Sequence, residues 1–182
     1  MANPGENILM PRNVHISVIK ICAMQNINPI FFDLEFSTIT GHYKPITKIW
    51  LENVFKKLNF DENKIAGVIL VNPSYHGYAG DLEPLIDCCH QKNLPVLVDE
   101  AHGSYFLFCE NLNLPKPALS SNADLVVNSL HKSLNGLTQT AVLWYKGNLI
   151  NEYKLIKSIN LLQTTSPSSL LLSSCEESIR DW

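Results

Sequence analysis

The sequence has little charge, no run of like charge, and no apolar stretch long enough to span a membrane. Charged residues make up 17% of its 182 residues, compared with about 25% in typical soluble domains. Hydrophobic residues make up 46%, which excludes a disordered chain, because such chains combine few apolar groups with much charge. The net charge of −3 includes no basic cluster. We therefore expect neither a nucleic-acid partner nor a membrane partner.

Cysteines with the spacing of metal ligands are also lacking. The five cysteines are Cys22, Cys88, Cys89, Cys109 and Cys175; they are odd in number and form no C-x-x-C. Adjacent cysteines do not match zinc-ligand spacing, so we predict reduced, mostly buried thiols and no metal. The start of the chain, MANPGENILM, has neither the basic region nor the apolar core of a signal peptide. These features lead us to expect a cytoplasmic protein.

Apolar, strand-like runs alternate with helix-like patterns along the chain. The predicted strands are 29–34, 66–71, 95–98, 125–128 and 141–145. The predicted helices are 17–25, 46–58, one opening at Asp81, 117–121, 148–162, and one capped by Ser166. Periodicity places Ile49 and Trp50 in the second helix, and Tyr153 and Ile156 in the fifth, on inward faces. The alternation predicts one α/β domain with a mostly parallel sheet and flanking helices.

Polar residues directly follow two of the predicted strands. The first cluster is PVLVDEAHG, residues 95–103, and the second is DLVVNSLHKSL, residues 124–134. Ligands of open parallel sheets bind beyond the carboxyl ends of the strands, so both clusters are expected to face one crevice. They supply an acid at Asp99, a lysine at Lys132 and a hydroxyl at Ser129.

This set of side chains suits a pyridoxal-phosphate enzyme. Such an enzyme needs a lysine whose neutral amine condenses with the cofactor aldehyde, and hydroxyls for the phosphate. It also needs a carboxylate that keeps the pyridine nitrogen protonated. Each residue alone has a more ordinary explanation, since Asp99 could bond nearby backbone amides and Lys132 could be a solvated lysine. Only the ordered set favours the cofactor.

Five segments, in order along the chain, carry a resemblance to a known family. They are PGENILMPRNVHIS, VILVNPSYHGYAGDL, PVLVDEAHGSYFLF, ADLVVNSLHKSLNGLTQTAVL and LLQTTSPSSLLLSS. Over residues 2–181 the chain resembles part of the major domain of the pyridoxal-phosphate-dependent ornithine/lysine/arginine decarboxylases. The resemblance implies an aspartate-aminotransferase-like large domain (fold type I). It also implies decarboxylation of arginine, lysine or ornithine for polyamine synthesis, by a homodimer or higher oligomer.

The resemblance also implies a role for each site residue. Lys132 would bind the aldehyde of pyridoxal 5'-phosphate, Asp99 would face the pyridine nitrogen, and His102 would lie near the phenolic oxygen. The remaining cofactor contacts it implies are stacking by His15, lining by Ala101, phosphate contacts from Ser129 and His131, and Thr165 reaching the phosphate of a neighbouring subunit.

The sequence departs from the family pattern in three places. The family's RN-C-H-K-S appears as RNVHIS, which keeps His15 but replaces a lysine by Ile16. The residues before His15 show no phosphate-cradling loop, and we expect the family's C-terminal domain to be missing. We therefore expect residues 1–182 to be a partial cofactor-binding major domain with little activity alone. The alternative is an inactive truncated remnant that serves only as a folding or dimerisation module.

A rival interpretation comes from VLVDEAH, which resembles the Walker B motif of DEAH-type helicases. That function requires a phosphate loop in which a glycine is followed by lysine. None of the eight glycines is followed by lysine. The helicase interpretation is therefore excluded.

Overall fold

The molecule is built on a six-stranded sheet with the strand order β2-β1-β5-β6-β7-β8. This computed structural model describes residues 1–58, 64–108 and 113–181; Cys109 and Trp182 lie outside them. All neighbouring strands pair in parallel except β7 and β8. The strands of this sheet are β1 Asn7–Pro11, β2 Asn28–Phe32, β5 Ile65–Val71, β6 Val96–Asp99, β7 Leu125–Asn128 and β8 Val142–Tyr145. The predicted α/β class and mostly parallel sheet are confirmed.

Helices and one small hairpin complete the fold. The hairpin joins β3 Phe36–Ser37 to β4 His42–Tyr43 in antiparallel pairing, and a 3-10 helix spans Ser104–Phe108. The α-helices are α1 Ile16–Met24, α2 Lys48–Lys57, α3 Glu83–His90, α4 Leu130–Ser133, α5 Glu152–Leu162 and α6 Ser169–Arg180.

Apolar side chains cover both faces of the central strands, as expected for a parallel sheet. On one face, Leu9 and Val68 pack in a large buried cluster with α2 and α3. On the other face, Met10 and Ile69 pack with Cys22 of α1 in a smaller cluster. Successive residues of β1 and β5 thus enter different clusters, since strand side chains alternate in direction.

Several sequence predictions of helix limits and faces were wrong. Residues 117–121, predicted as a helix, form a turn. The last helix is capped by Ser168 rather than Ser166, through a bond that Ser168 Oγ accepts from the amide of Leu171. Ile49 is 72% exposed because α2 instead buries Leu51 and Phe55.

Two further features differ from the prediction. Helix α5 buries none of its residues, and Tyr153 and Ile156, predicted to face inward, are exposed. Strand β1 was not predicted, although its residues from Ile8 to Pro11 are all buried. Its short sequence, NILMP, has no strand-like alternation, and only pairing with β2 and β5 makes it a central strand.

The described part of the chain contains no helix with the length and apolar character needed to cross a bilayer. Within the same residues, no group of three or more His, Cys, Asp or Glu side chains is placed to hold a metal ion. The described cysteines are free, and Cys22, Cys88 and Cys89 are buried.

Asp124 ties the starts of β6 and β7 together at the edge opposite the polar clusters. Its side chain is 3% exposed, and its Oδ2 atom accepts hydrogen bonds of 2.8 Å from the amide of Val96 and from Nε2 of His90. The carbonyl of Val96 in turn accepts a bond of 3.1 Å from the amide of Asp124. These bonds fix the register of the two strands that carry the polar clusters.

We predict that Asp124→Ala destabilises the fold more than the exposed α3 substitution Asp87→Ala does. Removing the carboxylate leaves the buried amide of Val96 without a partner, which costs about 1–3 kcal/mol. A surface change at Asp87 should cost less than about 0.5 kcal/mol. Urea unfolding followed by circular dichroism measures both, and equal losses in the two variants would contradict the structural role of Asp124.

Candidate functional site

The candidate site lies at the carboxyl ends of β6 and β7. Asp99 is the last residue of β6 and pairs with Val127 of β7. Ser129 follows β7 directly and is the N-cap residue of α4, which carries Lys132. Because the two strands are parallel and adjacent, both polar segments leave the sheet at the same edge, as the sequence predicted.

Lys132 and His102 meet across this edge. Nζ of Lys132 lies 3.4 Å from Nε2 of His102. The His102 ring is half-buried, and the ring of Tyr75 stands edge-on to it at a centroid distance of 5.4 Å. The structure thus brings together two of the three residues predicted to be catalytic.

Asp99 and His15 also lie close enough to His102 for their charges to change the pKa of its imidazole. Burial lowers the pKa of the His102 imidazole, and the positive charge of Lys132 lowers it further. Asp99 raises that pKa in part, and His15 makes a smaller contribution that lowers it. The balance favours a neutral imidazole at neutral pH.

Asp99 makes the hydrogen bond to a nearby backbone amide that the sequence indicated as the simpler role of this residue. Its Oδ1 atom accepts a bond of 3.1 Å from the amide of Ala101, and the Ala101 side chain is buried. This bond holds the half-buried carboxyl in one orientation at the strand end and engages one of its two oxygens. Asp99 is therefore held by its own loop at the strand end, close enough to His102 for its charge to act on that imidazole.

The two residues predicted to contact phosphate differ in whether their side chains already form a hydrogen bond within the chain. Ser129 is buried, and its hydroxyl makes no capping bond to α4. His131 is engaged, since its Nδ1 atom lies 2.8 Å from the carbonyl of Thr140. Three buried oxygens near these segments, Oδ1 of Asn13, Oδ1 of Asn128 and Oγ of Ser133, have no hydrogen-bond partner among the described residues.

His15 and Thr165 occupy different parts of the molecule. His15 is the N-cap residue of α1, where its Nδ1 atom accepts a bond of 3.3 Å from the amide of Ser17. Thr165 lies in the exposed segment between α5 and α6. Within the described residues, no hydrogen bond or ring contact links Thr165 to Asp99, His102 or Lys132, so its predicted role needs a surface beyond this chain.

Sequence reasoning missed Glu100, which lies between Asp99 and Ala101 and is completely buried. Burial raises the pKa of its carboxyl to about 7, partly offset by hydrogen bonds from Ala118 and Asn128. A glutamate in a polar cluster usually faces solvent. The available signal was the strand alternation, because Glu100 continues the inward set of Val96 and Val98.

Comparison with known proteins places the chain beside amino-acid decarboxylases. The family model described as Orn/Lys/Arg decarboxylase, major domain, matches residues 1–180. An arginine decarboxylase of Bacillus cereus is 37% identical over 176 residues, which cover 97% of this chain and 37% of the relative. An arginine decarboxylase of Halalkalibacterium halodurans is 36% identical, covering 97% of this chain and 35% of the relative. The chain thus spans about a third of the length of these relatives.

Solved structures share the fold at lower identity. The constitutive lysine decarboxylase of E. coli has a TM-score of 0.80 at 20% identity, covering 97% of this chain and 26% of that one. A pyridoxal-phosphate-bound aminotransferase of Clostridium difficile has a TM-score of 0.74 at 18% identity, and the match covers 99% of this chain and 46% of the aminotransferase. The predicted fold type is confirmed by these likenesses.

We predict that the pKa of His102 responds in opposite directions to its two charged neighbours. Lys132→Met removes a positive charge and should raise the pKa of His102, whereas Asp99→Asn removes a negative charge and should lower it. The titration of the imidazole carbon-bound proton by NMR measures both shifts. Lys56→Met, an exposed change on α2, should leave the titration unaltered. Shifts of the same sign in the Lys132 and Asp99 variants would contradict the geometry.

Proposed function

Since this chain belongs to the Orn/Lys/Arg decarboxylase family, of which it matches the major domain, we propose that it binds pyridoxal 5'-phosphate. We propose further that it forms the cofactor-binding part of a decarboxylase of a basic amino acid. The observation that carries the proposal is the approach of Lys132 to His102, at 3.4 Å, beside Asp99. An amine and an imidazole meet there at the carboxyl ends of two parallel strands, with a carboxylate close enough for its charge to act on the imidazole.

The donor set at this edge fits the chemistry of the cofactor. Lys132 offers the primary amine, and Asp99 has a second carboxylate oxygen beyond the one bonded to Ala101. Ser129 offers a hydroxyl that is not spent on capping α4. The hydroxyl of Ser133 is also buried without a hydrogen-bond partner among the described residues, so a bound ligand could supply one.

Bound pyridoxal phosphate supplies an aldehyde for an amine and a protonated ring that accepts the electron pair released when a carboxylate leaves as carbon dioxide. Lys132 would hold the cofactor covalently through its Nζ atom. Asp99 would keep a proton on the pyridine nitrogen, since a carboxylate next to it stabilises the cationic form. His102, kept neutral by burial and by Lys132, would accept or return a proton at the Lys132 amine.

The substrate we propose is a basic amino acid, with arginine the first to test. Arginine is favoured because the named relatives at 36–37% identity are arginine decarboxylases. The product would be the corresponding amine, which places the reaction among those that supply polyamines. We also propose a cytoplasmic location, which the free thiols of the described cysteines fit.

A second candidate function is that of an inactive folding or dimerisation module. The observation in its favour is the apolar exposure of the last two helices, where Tyr153 is 75%, Leu161 80% and Leu170 67% exposed. Exposed apolar patches of this kind mark surfaces that associate with other protein. Such a module would need no cofactor, so cofactor attachment separates the two candidates.

We predict that pyridoxal phosphate attaches to Lys132 in preference to surface lysines. Incubation with the cofactor, reduction with borohydride and peptide mapping should place the label on Lys132 ahead of Lys56 and Lys57 of α2. Lys132→Ala should abolish that preferred label, and Lys56→Ala should not. Equal labelling of all three lysines would refute the site and favour the module.

A further prediction concerns Asp99 and the reaction itself. Carbon dioxide release from arginine, lysine and ornithine should be assayed with the natural chain, Lys132→Ala and Asp99→Ala. We expect any turnover to be lost in both variants, while Asp99→Ala still takes the borohydride label at Lys132, because Asp99 controls ring protonation and not attachment. Normal turnover in Asp99→Ala would contradict its assigned role.

A further inference from the structure

Glu100 is a buried carboxyl directly behind the candidate site, and it joins three separate segments. Its Oε1 atom accepts a hydrogen bond of 2.9 Å from the amide of Ala118, in the 117–121 turn. Its Oε2 atom accepts one of 3.2 Å from Nδ2 of Asn128, the last residue of β7. The same Nδ2 group also donates to the backbone carbonyl of Glu100, at 3.1 Å.

These bonds reach both halves of the candidate site within a few residues. Glu100 is the residue after Asp99, and its carbonyl also accepts a bond of 2.9 Å from the amide of Gly103. On the other side, Asn128 precedes Ser129, the N-cap residue of the helix that carries Lys132. The hydroxyl of Ser104 closes the connection by donating 3.1 Å to the carbonyl of Ser129.

The packing around Glu100 leaves little room for water. A Cβ atom added to Gly103 would lie 2.6 Å from Cδ of Pro73 and 2.9 Å from Cγ of Glu100. The approach of the 72–80 loop to this segment therefore depends on glycine at position 103. A charge on Glu100 must be accommodated by hydrogen bonds alone, which is costly in a dry interior.

No positive side chain compensates Glu100 within the described chain. The titratable groups on the elements around it are Asp99, His102, Tyr105, Lys116, His131 and Lys132, together with Tyr75, His76 and Tyr78 of the 72–80 loop. The hydrogen bonds that the described residues make to its carboxyl come from Ala118 and Asn128, and neither donor is charged. Lys116, the cation nearest in sequence to the 117–121 turn, pairs instead with Glu83.

We propose that Glu100 is a positioning residue which, through Asn128, couples the Asp99–His102 loop to the Lys132 helix, and that gain or loss of its proton tightens or loosens this coupling. The proposal rests on the proposed function only for the identity of the site. With the proton bound, the carboxyl packs without a desolvated charge. Without it, the buried charge favours local opening of the segments that it joins.

The direction of the pH effect follows from the raised pKa of about 7 in the folded chain, compared with the ordinary value of 4.5. Between these values the folded state binds more proton than the unfolded state, so stability falls as pH rises and then levels off above pH 7. A local opening that frees Glu100 would become more frequent over the same window, by up to about tenfold per pH unit.

Hydrogen exchange followed by mass spectrometry tests the coupling without any cofactor. The natural chain, Glu100→Gln and the exposed α6 control Glu176→Gln should be compared from about pH 5 to pH 8, with rates corrected for intrinsic exchange. In the natural chain and the control, peptides covering 100–104 and 129–134 should open increasingly up to pH 7, while α3 should not. Glu100→Gln should remove this dependence in both peptides.

The role of Asn128 is tested by Asn128→Ala. This variant should abolish the pH dependence of residues 129–134 while residues 100–104 keep theirs, a separation that a purely structural carboxyl would not produce. The proposal is overturned if 129–134 still respond in Asn128→Ala, or if the site peptides and α3 share one pH profile in the natural chain. The latter comparison holds even if a variant fails to fold. Failure here leaves the Lys132 labelling result unaffected.

Discussion

The parallel pairing of β6 with β7 determines where the residues of the candidate site lie. Asp124 fixes the pair at one end through the amide of Val96, and the contacts of Glu100 with Asn128 fix it at the other. Because the side-chain period of a strand is two, a shift of one residue would turn Asp99 to the opposite face. The distance between Lys132 and His102 therefore depends first on the register of β6 and β7, and only then on the conformation of the loops that follow them.

Two acidic residues in sequence, Asp99 and Glu100, have opposite environments for a simple geometric reason. Consecutive residues at a strand end point to opposite sides, so one carboxyl reaches the crevice and the other enters the core. Asp99 is half-buried and keeps access to solvent. Glu100 is enclosed, and burial raises its pKa to about 7. The same type of side chain thus faces the crevice at one position and joins buried segments at the next.

The sequence predicted those parts of the fold that depend on local pattern. The apolar runs predicted β5, β6 and β7 within one or two residues. The polar clusters after β6 and β7 indicated the end of the sheet at which Asp99 and Lys132 lie. The sequence did not predict strand β1, because its burial results from pairing with β2 and β5, which lie outside its own segment. Periodicity likewise marks an apolar stripe on α5 but carries no information on what covers it.

The interior of the site was predicted less completely than its surface. Glu100 acquires its partners from Ala118 and Asn128, which are separated from it by 18 and 28 positions, so no local pattern reveals them. His131 is a second case: its Nδ1 atom bonds the carbonyl of Thr140, a contact that its position in the motif does not reveal. In both cases a polar side chain forms a hydrogen bond with a backbone group or a buried side chain, and only the three-dimensional arrangement shows which one.

The strand order also has a consequence for how the chain acquires its structure. β1 lies between β2, which follows it closely, and β5, whose Ile65 pairs with Asn7. During synthesis β1 and β2 can associate early, but the second edge of β1 stays open until β5 has been made. Such non-local pairing slows folding, because a long loop must close before its contacts are gained. Until then the apolar face of β1 is a target for chaperones and for wrong strand partners.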